Sequence, residues 1–302
     1  MKTVRTDTEA VDPRYAELDA WPTGDVLAAM FEGQLAAVEA VQAALPALAR
    51  AVDHAAQALR ESGRLVYVGA GTSGRIGVQD GAELVPTFNW PSERLLFLIA
   101  GGETALMRSI EGAEDDEADA VRAIAGARIG PHDVVIGIAA SGTTPYTVAA
   151  FRAAREAGAV TIGVANNAGS PLLATAAHQI FVETGSEMIA GSTRMKAGTA
   201  QKVVLNLLST ALMVKLGRVY RGMMVQMRAT NAKLRRRAAA IVRAVSGCPD
   251  DAAADYVEAA KGDVKLAILL AHGLPIAKAA QLLDEHHGNL RAVIAALGTG
   301  AC

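Results

Sequence analysis

Leu65-Val66-Tyr67-Val68-Gly69-Ala70-Gly71-Thr72-Ser73-Gly74-Arg75 is an apolar run that breaks into a turn of glycines and hydroxyls and then resumes with helical spacing. Four apolar residues bounded by glycine suit a strand buried on both faces of a parallel sheet. Ser73 reads as the N-cap of a helix running to about Pro86. The strand–turn–helix pattern sets the turn outside the carboxyl end of a strand, where open α/β sheets bind ligands. Backbone N–H groups, a helix dipole and two hydroxyls there suit an anion, most simply a phosphate. Gly69-x-Gly71-x-x-Gly74 also has the spacing of a dinucleotide fingerprint, which calls for an acidic residue about 20 positions on, closing the second strand. Asn89-Trp90-Pro91-Ser92-Glu93 instead precedes the next apolar run, so phosphate is the preferred reading and a plain turn without ligand the alternative.

Downstream, Leu95-Leu96-Phe97-Leu98-Ile99-Ala100 reads as a second buried strand, followed by Gly101-Gly102-Glu103 and a short helix. The acidic run Glu111-Gly112-Ala113-Glu114-Asp115-Asp116-Glu117 reads as the solvated first turn of a helix ending near Arg128, where carboxylates favour the dipole. A third strand, residues 133–139, ends in Ala140-Ser141-Gly142-Thr143-Thr144-Pro145, a second hydroxyl turn with proline placed for a first helical turn. Two Ser/Thr/Gly turns at one edge of a parallel sheet suit a phosphorylated small molecule. Residues 160–164 and 179–182 supply strands four and five. Gly191-Ser192-Thr193-Arg194-Met195-Lys196-Ala197-Gly198-Thr199 opens a long apolar helix to about Leu216, and residues 220–244 read as another. Residues 24–61 carry apolar residues at three- and four-residue intervals, amphipathic helices with a break near Pro46.

The expected fold is therefore α/β: a doubly wound, parallel, five-stranded sheet flanked by helices, with a small C-terminal helical unit. Its divisions are an arm at 1–23, the ligand-binding α/β domain at 24–245, and helices at 246–302 after the break Ser246-Gly247-Cys248-Pro249. The chain has 302 residues, 51% hydrophobic but only 4% aromatic, so its core is aliphatic. Lys and Arg number 29 against 31 Asp and Glu, a net charge of -2. That gives no global pull toward nucleic acid or an anionic membrane. The basic cluster Lys233-Leu234-Arg235-Arg236-Arg237 reads as a solvated helix face. Cys248 and Cys302 form no CxxC pair, which suggests neither disulfide framework nor zinc site and fits a cytoplasmic setting. Adjacent His286 and His287 lack metal-ligand spacing. No signal peptide or membrane span is expected.

The two hydroxyl turns, Glu111-Gly112-Ala113-Glu114-Asp115 and residues 191–202 together resemble, in order, the motifs of bacterial N-acetylmuramic acid 6-phosphate etherases. The resemblance implies a sugar-isomerase (SIS) fold, a cytoplasmic homodimer without metal or organic cofactor, and a part in recycling peptidoglycan amino sugars. It implies release of D-lactate from the C3 ether of the phosphosugar, with Glu83 and Glu114 as the acid/base pair. By the same match Thr72, Ser73, Gly74, Ser141, Thr143 and Thr144 are expected to bind the phosphosugar, joined by Ser192 and Lys196. Two rivals share the fold: a phosphosugar-sensing regulator without catalysis, for which two tandem modules would be expected, and a phosphosugar isomerase.

Overall fold

The computed structural model of the protein describes residues 7–60 and 62–298. Three short 3-10 turns precede α1 (Thr23–Ala40) and α2 (Leu45–Ala58), which are joined by a 3-10 turn at Val41–Ala44. Then come β1 (Leu65–Gly69), α3 (Gly71–Ala82), α4 (Leu84–Phe88), β2 (Leu95–Ile99), α5 (Thr104–Met107), α6 (Glu117–Gly126), β3 (Val134–Ile138), α7 (Pro145–Glu156), β4 (Val160–Ala165), α8 (Pro171–Thr175), β5 (His178–Phe181) and α9 (Lys196–Lys215). The remainder is β6 (Val219–Tyr220), β7 (Met223–Met224), α10 (Ala232–Ser246), α11 (Asp250–Ala259), α12 (Val264–Ala271), α13 (Ile276–Glu285) and α14 (Leu290–Ala296). The chain divides into two compact units: one runs up to Ala82 and resumes over Ser92–Ser209, the other joins Glu83–Pro91 to the chain from Thr210 onward. Val242 and Val245 of α10 are buried in one cluster with Val257 of α11 and Ile268 of α12.

In the first unit the sheet has the order β2-β1-β3-β4-β5, and neighbouring strands are parallel throughout. The chain steps from β1 out to β2, then back across to β3, so the winding reverses between β1 and β3. Open α/β sheets bind ligands at such a switch point. Gly69 is in register with Ile138, which brings the two hydroxyl turns side by side. Leu65, Val66, Tyr67 and Val68 of β1 and Val134, Val135 and Ile136 of β3 are wholly buried, as continuous apolar strands covered on both faces require. Each such aliphatic side chain contributes roughly 1.5–3 kcal/mol on burial.

Three local expectations are corrected. The helix after β1 starts at Gly71, so Ser73 lies inside its first turn and is not the cap. The acidic run does not open one helix: Ala113–Asp115 is a separate 3-10 turn, and Asp116 caps α6 by accepting from the Asp119 N–H at 2.8 Å. Residues 219–224 form a β6–β7 hairpin, not a helix. Arg221 and Gly222 both take positive φ, the two-residue turn that matches strand twist.

The stretch from α1 through α2, and α9, have the length and apolar composition of membrane-crossing helices. Part of that apolar surface packs inside the protein: Leu48, Ala51, Val52 and Ala55 of α2 and Val204, Leu205 and Leu208 of α9 are buried. α1 differs, since Leu27, Phe31, Leu35 and Val38 are 45–63% exposed along one stripe.

The second unit is helical and includes α4. Arg218 donates to the carbonyls of Phe88 and Asn89, both at 2.8 Å, and lies over the Trp90 ring at 4.8 Å, which fixes the short segment carrying Glu83. Arg235, Arg236 and Arg237 are exposed on α10, as the sequence reading has them. Lys265 is 4% exposed and donates to the Gly288 carbonyl. Burial lowers its pKa to about 8, with Arg218 adding to the effect and Asp263 opposing it. Between pH 8 and the ordinary lysine value of 10.5 the unfolded chain binds a proton that the folded chain has released, so stability rises with pH there. Urea titrations are expected to show a slope approaching about 1.4 kcal/mol per pH unit in this window, flattened in Lys265→Met.

Candidate active site

The first hydroxyl turn is built by close approach. Cβ atoms added at Gly69 or Gly74 would sit 3.0–3.1 Å from the other's backbone, so only glycine lets α3 start this near the strand end. Thr72 stays partly exposed beside the α3 N-terminus. Ser73 is 9% exposed, and its hydroxyl donates to Gln201 Oε1 at 2.9 Å. Gln201 Nε2 in turn donates to Asn166 Oδ1 at 3.0 Å, and Asn166 Nδ2 to the Val182 carbonyl at 3.0 Å. The backbone N–H of Asn166 donates to the Ala140 carbonyl at 2.9 Å, immediately before the second turn. One buried relay thus ties both turns to α9, and none of its members past Ser73 was singled out from the sequence.

In the second turn the Ser141 hydroxyl accepts from the Thr143 N–H at 3.1 Å, which leaves its proton free to donate. Thr144 precedes Pro145 at the α7 N-terminus without a side-chain capping bond. Gly142 has φ +68°, and a Cβ there would collide with Ser170 Oγ at 2.1 Å. Ser141, Thr143 and Thr144 therefore bring hydroxyls able to donate to the start of a twelve-residue helix, an anion-binding arrangement.

The α9 motif meets the same edge. Gly198 packs on α3, where an added Cβ would lie 3.7 Å from Thr72 Cγ2. Its geometry is set by Glu187, wholly buried, whose carboxylate accepts from the N–H groups of Lys196 and Ala197 at 2.9 Å each. An acidic group at a helix N-terminus is stabilised by those donors and the dipole. Ser192 is half-buried in the turn before it. The Lys196 stem runs against Gly33 of α1, in a crevice with Tyr15, Met30 and Gln34. Desolvation lowers its pKa, opposed by Glu187.

Glu114 is exposed in its 3-10 turn and lines a cavity of about 240 Å³ bounded by Gly71, Arg75, Ala100, Arg108 and Glu111. That cavity opens beside the first hydroxyl turn. Arg75 donates to the carbonyls of Ala105 and Leu106 at 2.8–3.1 Å, which pins α5 along its wall. Glu83 belongs to the second unit, exposed and at the start of α4 with no capping bond. On α3, Asp80 is 2% exposed, accepts from the Tyr67 hydroxyl at 2.9 Å and faces Lys202 at 3.8 Å. Burial first, then the Asp80 charge, raises the Tyr67 pKa, so this phenol stays protonated. Among the described residues no group of three or more His, Cys, Asp or Glu side chains is placed to hold a metal ion.

A parallel sheet of this order with hydroxyl turns at its switch point is the architecture of the SIS class. The description "SIS domain" matches residues 116–211, and "Glucokinase regulatory protein N-terminal SIS domain" matches residues 47–155. A phosphoheptose isomerase of Francisella tularensis shares the fold at a TM-score of 0.50 and 17% identity, over 64% of this chain and all of that one. The N-acetylmuramic acid 6-phosphate etherase of Deinococcus radiodurans is 52% identical over 97% of this chain and 98% of its own, and that of Streptomyces avermitilis is 47% identical over 96% and 93%. The chain belongs to the N-acetylmuramic acid 6-phosphate etherase family, carbon–oxygen lyases.

Proposed function

We propose that the protein cleaves the C3 ether of N-acetylmuramic acid 6-phosphate with water, giving N-acetylglucosamine 6-phosphate and D-lactate. Beyond the family relation, one observation carries the reading: a glutamate-bearing cavity opens beside a hydroxyl turn at the switch point of the sheet. Ser141, Thr143 and Thr144 with the α7 N-terminus hold the phosphate, and Thr72, Ser73 and Gly74 bind the sugar from the first turn. Ser192 and Lys196 complete the set on the family match.

Opening of the sugar ring makes C1 an aldehyde, which acidifies the C2 proton. Glu114 removes that proton, the C3–O bond breaks, and Glu83 protonates the departing lactate oxygen. Water then adds back, hydroxyl to C3 and proton to C2. Each carboxyl group supplies general catalysis of about a hundred- to ten-thousandfold. The chemistry as written calls for no metal or organic cofactor. A lactate-release assay on the purified protein tests the reading: product without lactate points to an isomerase, and binding without turnover to a regulator, the alternative favoured by the match to the glucokinase regulatory protein.

Ser141→Ala is expected to weaken product binding roughly ten- to a hundredfold, since a hydrogen bond to a charged group is worth about 1.5–3 kcal/mol. Calorimetry showing normal affinity would move the phosphate elsewhere. Ser73→Ala should weaken it as well, and by orphaning the buried Gln201 carbonyl it should also lower the melting temperature.

The exposed apolar stripe of α1 supports a homodimer, because a run of Leu27, Phe31, Leu35 and Val38 in water gains most by meeting a second copy. Phe31→Glu should shift the sedimentation coefficient toward a monomer. The reading sets the reaction in the cytoplasm, because a sugar phosphate is a dianion that does not cross a bilayer unaided.

A further inference from the structure

The substrate of the proposed reaction carries a second anion, the lactyl carboxylate, beside the bond that breaks. The hydroxyl turns suit a phosphate, which leaves this carboxylate to be recognised by another group close to the acid/base chemistry. The cavity holding Glu114 also holds Glu111, and a third carboxylate entering it meets like charge unless a cation offsets it. The cavity wall supplies two cations, Arg75 and Arg108. Arg75 spends its Nε on the Ala105 and Leu106 carbonyls and one terminal nitrogen on that of Ala105, a structural task. Arg108 caps the C-terminus of the α5 helix that Arg75 pins, with extended backbone at φ -137°. It is exposed, and its guanidinium takes part in no hydrogen bond or ion pair among the described residues.

We propose that Arg108 binds the lactyl carboxylate and makes this cavity the subsite that distinguishes a muramic ether from an amino-sugar phosphate without the lactyl group. The inference rests on the etherase reading and adds a specificity residue to it. Guanidinium suits the task because its planar donors match a carboxylate two at a time. Ser109 stands beside it as a second donor, and Ile110 and Ala113 line the same cavity, giving the lactyl methyl an apolar wall. At roughly 30 Å³ for each water-sized group, 240 Å³ accommodates the lactyl arm with space for solvent. A cation here also holds the leaving group as its oxygen detaches from C3.

The test compares wild type, Arg108→Gln and Arg108→Lys on three ligands. These are N-acetylmuramic acid 6-phosphate, the same compound with its lactyl carboxylate converted to a methylamide, and N-acetylglucosamine 6-phosphate as a competitive inhibitor. Arg108→Gln should raise KM for the acid roughly ten- to a hundredfold while leaving the inhibition constant of N-acetylglucosamine 6-phosphate unchanged. Wild type should favour acid over amide by a similar factor, Arg108→Gln should not, and Arg108→Lys should recover part of the preference. Equal weakening of acid and inhibitor would assign Arg108 to the phosphate or to loop structure and overturn the proposal, as would an unaltered preference for the acid. Wild-type protein that releases no lactate would instead overturn the etherase reading and the Arg108 assignment with it, an outcome told apart by the wild-type arm alone.

Discussion

In deuterium oxide, Glu83→Gln is expected to incorporate deuterium at C2 of N-acetylmuramic acid 6-phosphate while releasing little lactate, whereas Glu114→Gln does neither. The contrast follows from the order of steps. If removal of the C2 proton precedes loss of the C3 oxygen, an enzyme lacking only its acid still forms the carbanion and returns a solvent proton to it. An enzyme lacking its base never begins. Lactate release should fall by about a hundred- to ten-thousandfold in each variant, well within reach of mass spectrometry and a coupled lactate assay. Exchange that survives in Glu114→Gln and disappears in Glu83→Gln would reverse the two roles. Normal lactate release by both would remove these glutamates from the chemistry. Both side chains are exposed and free of capping bonds, so the glutamine variants should fold as the parent does.

The second large effect concerns a residue that touches no proposed ligand. Glu187→Ala should destabilise the protein by roughly 3–5 kcal/mol, lowering the melting temperature by several degrees. A part-buried and a buried N–H group, those of Lys196 and Ala197, lose a charged acceptor at the α9 N-terminus, and the vacated space is not refilled. Glu187→Gln keeps the shape but turns a donor toward one of those N–H groups, so its loss should be intermediate. Because α9 begins at Lys196 and Gly198 packs on Thr72, the same change should also loosen the first hydroxyl turn and raise KM. A Glu187→Ala protein as stable as the parent would show that the cap is dispensable.

What the sequence by itself determined was local. The apolar runs mark β1 to β5 to within a residue or two of their observed limits, most clearly for β1, β3 and β4, which are buried along their whole length and must therefore be almost continuously apolar. The hydroxyl turns are equally legible, since glycine admits the tight turn conformations closed to other residues and Pro145 has the fixed φ of a first helical turn. Local chemistry was also where the reading erred. Ser73 has the composition of a cap, yet its hydroxyl is engaged by Gln201, 128 residues away. The run 220–244 looked helical until Arg221-Gly222 turned it back on itself.

Glu83 and Glu114 came from resemblance alone, because an exposed glutamate carries no local mark that separates catalysis from solvation. Tertiary structure decided the rest. The insertion of β1 between β2 and β3 makes the two hydroxyl turns neighbours, and the partition of the chain assigns Glu83 and Glu114 to different compact units. The relay through Gln201 and Asn166 and the buried cap of Glu187 likewise exist only once distant segments meet. Polar residues such as these read as ordinary loop and helix-surface residues in the sequence. Only burial, where an unpaired polar group costs about 1–3 kcal/mol, obliges each of them to find its particular partner.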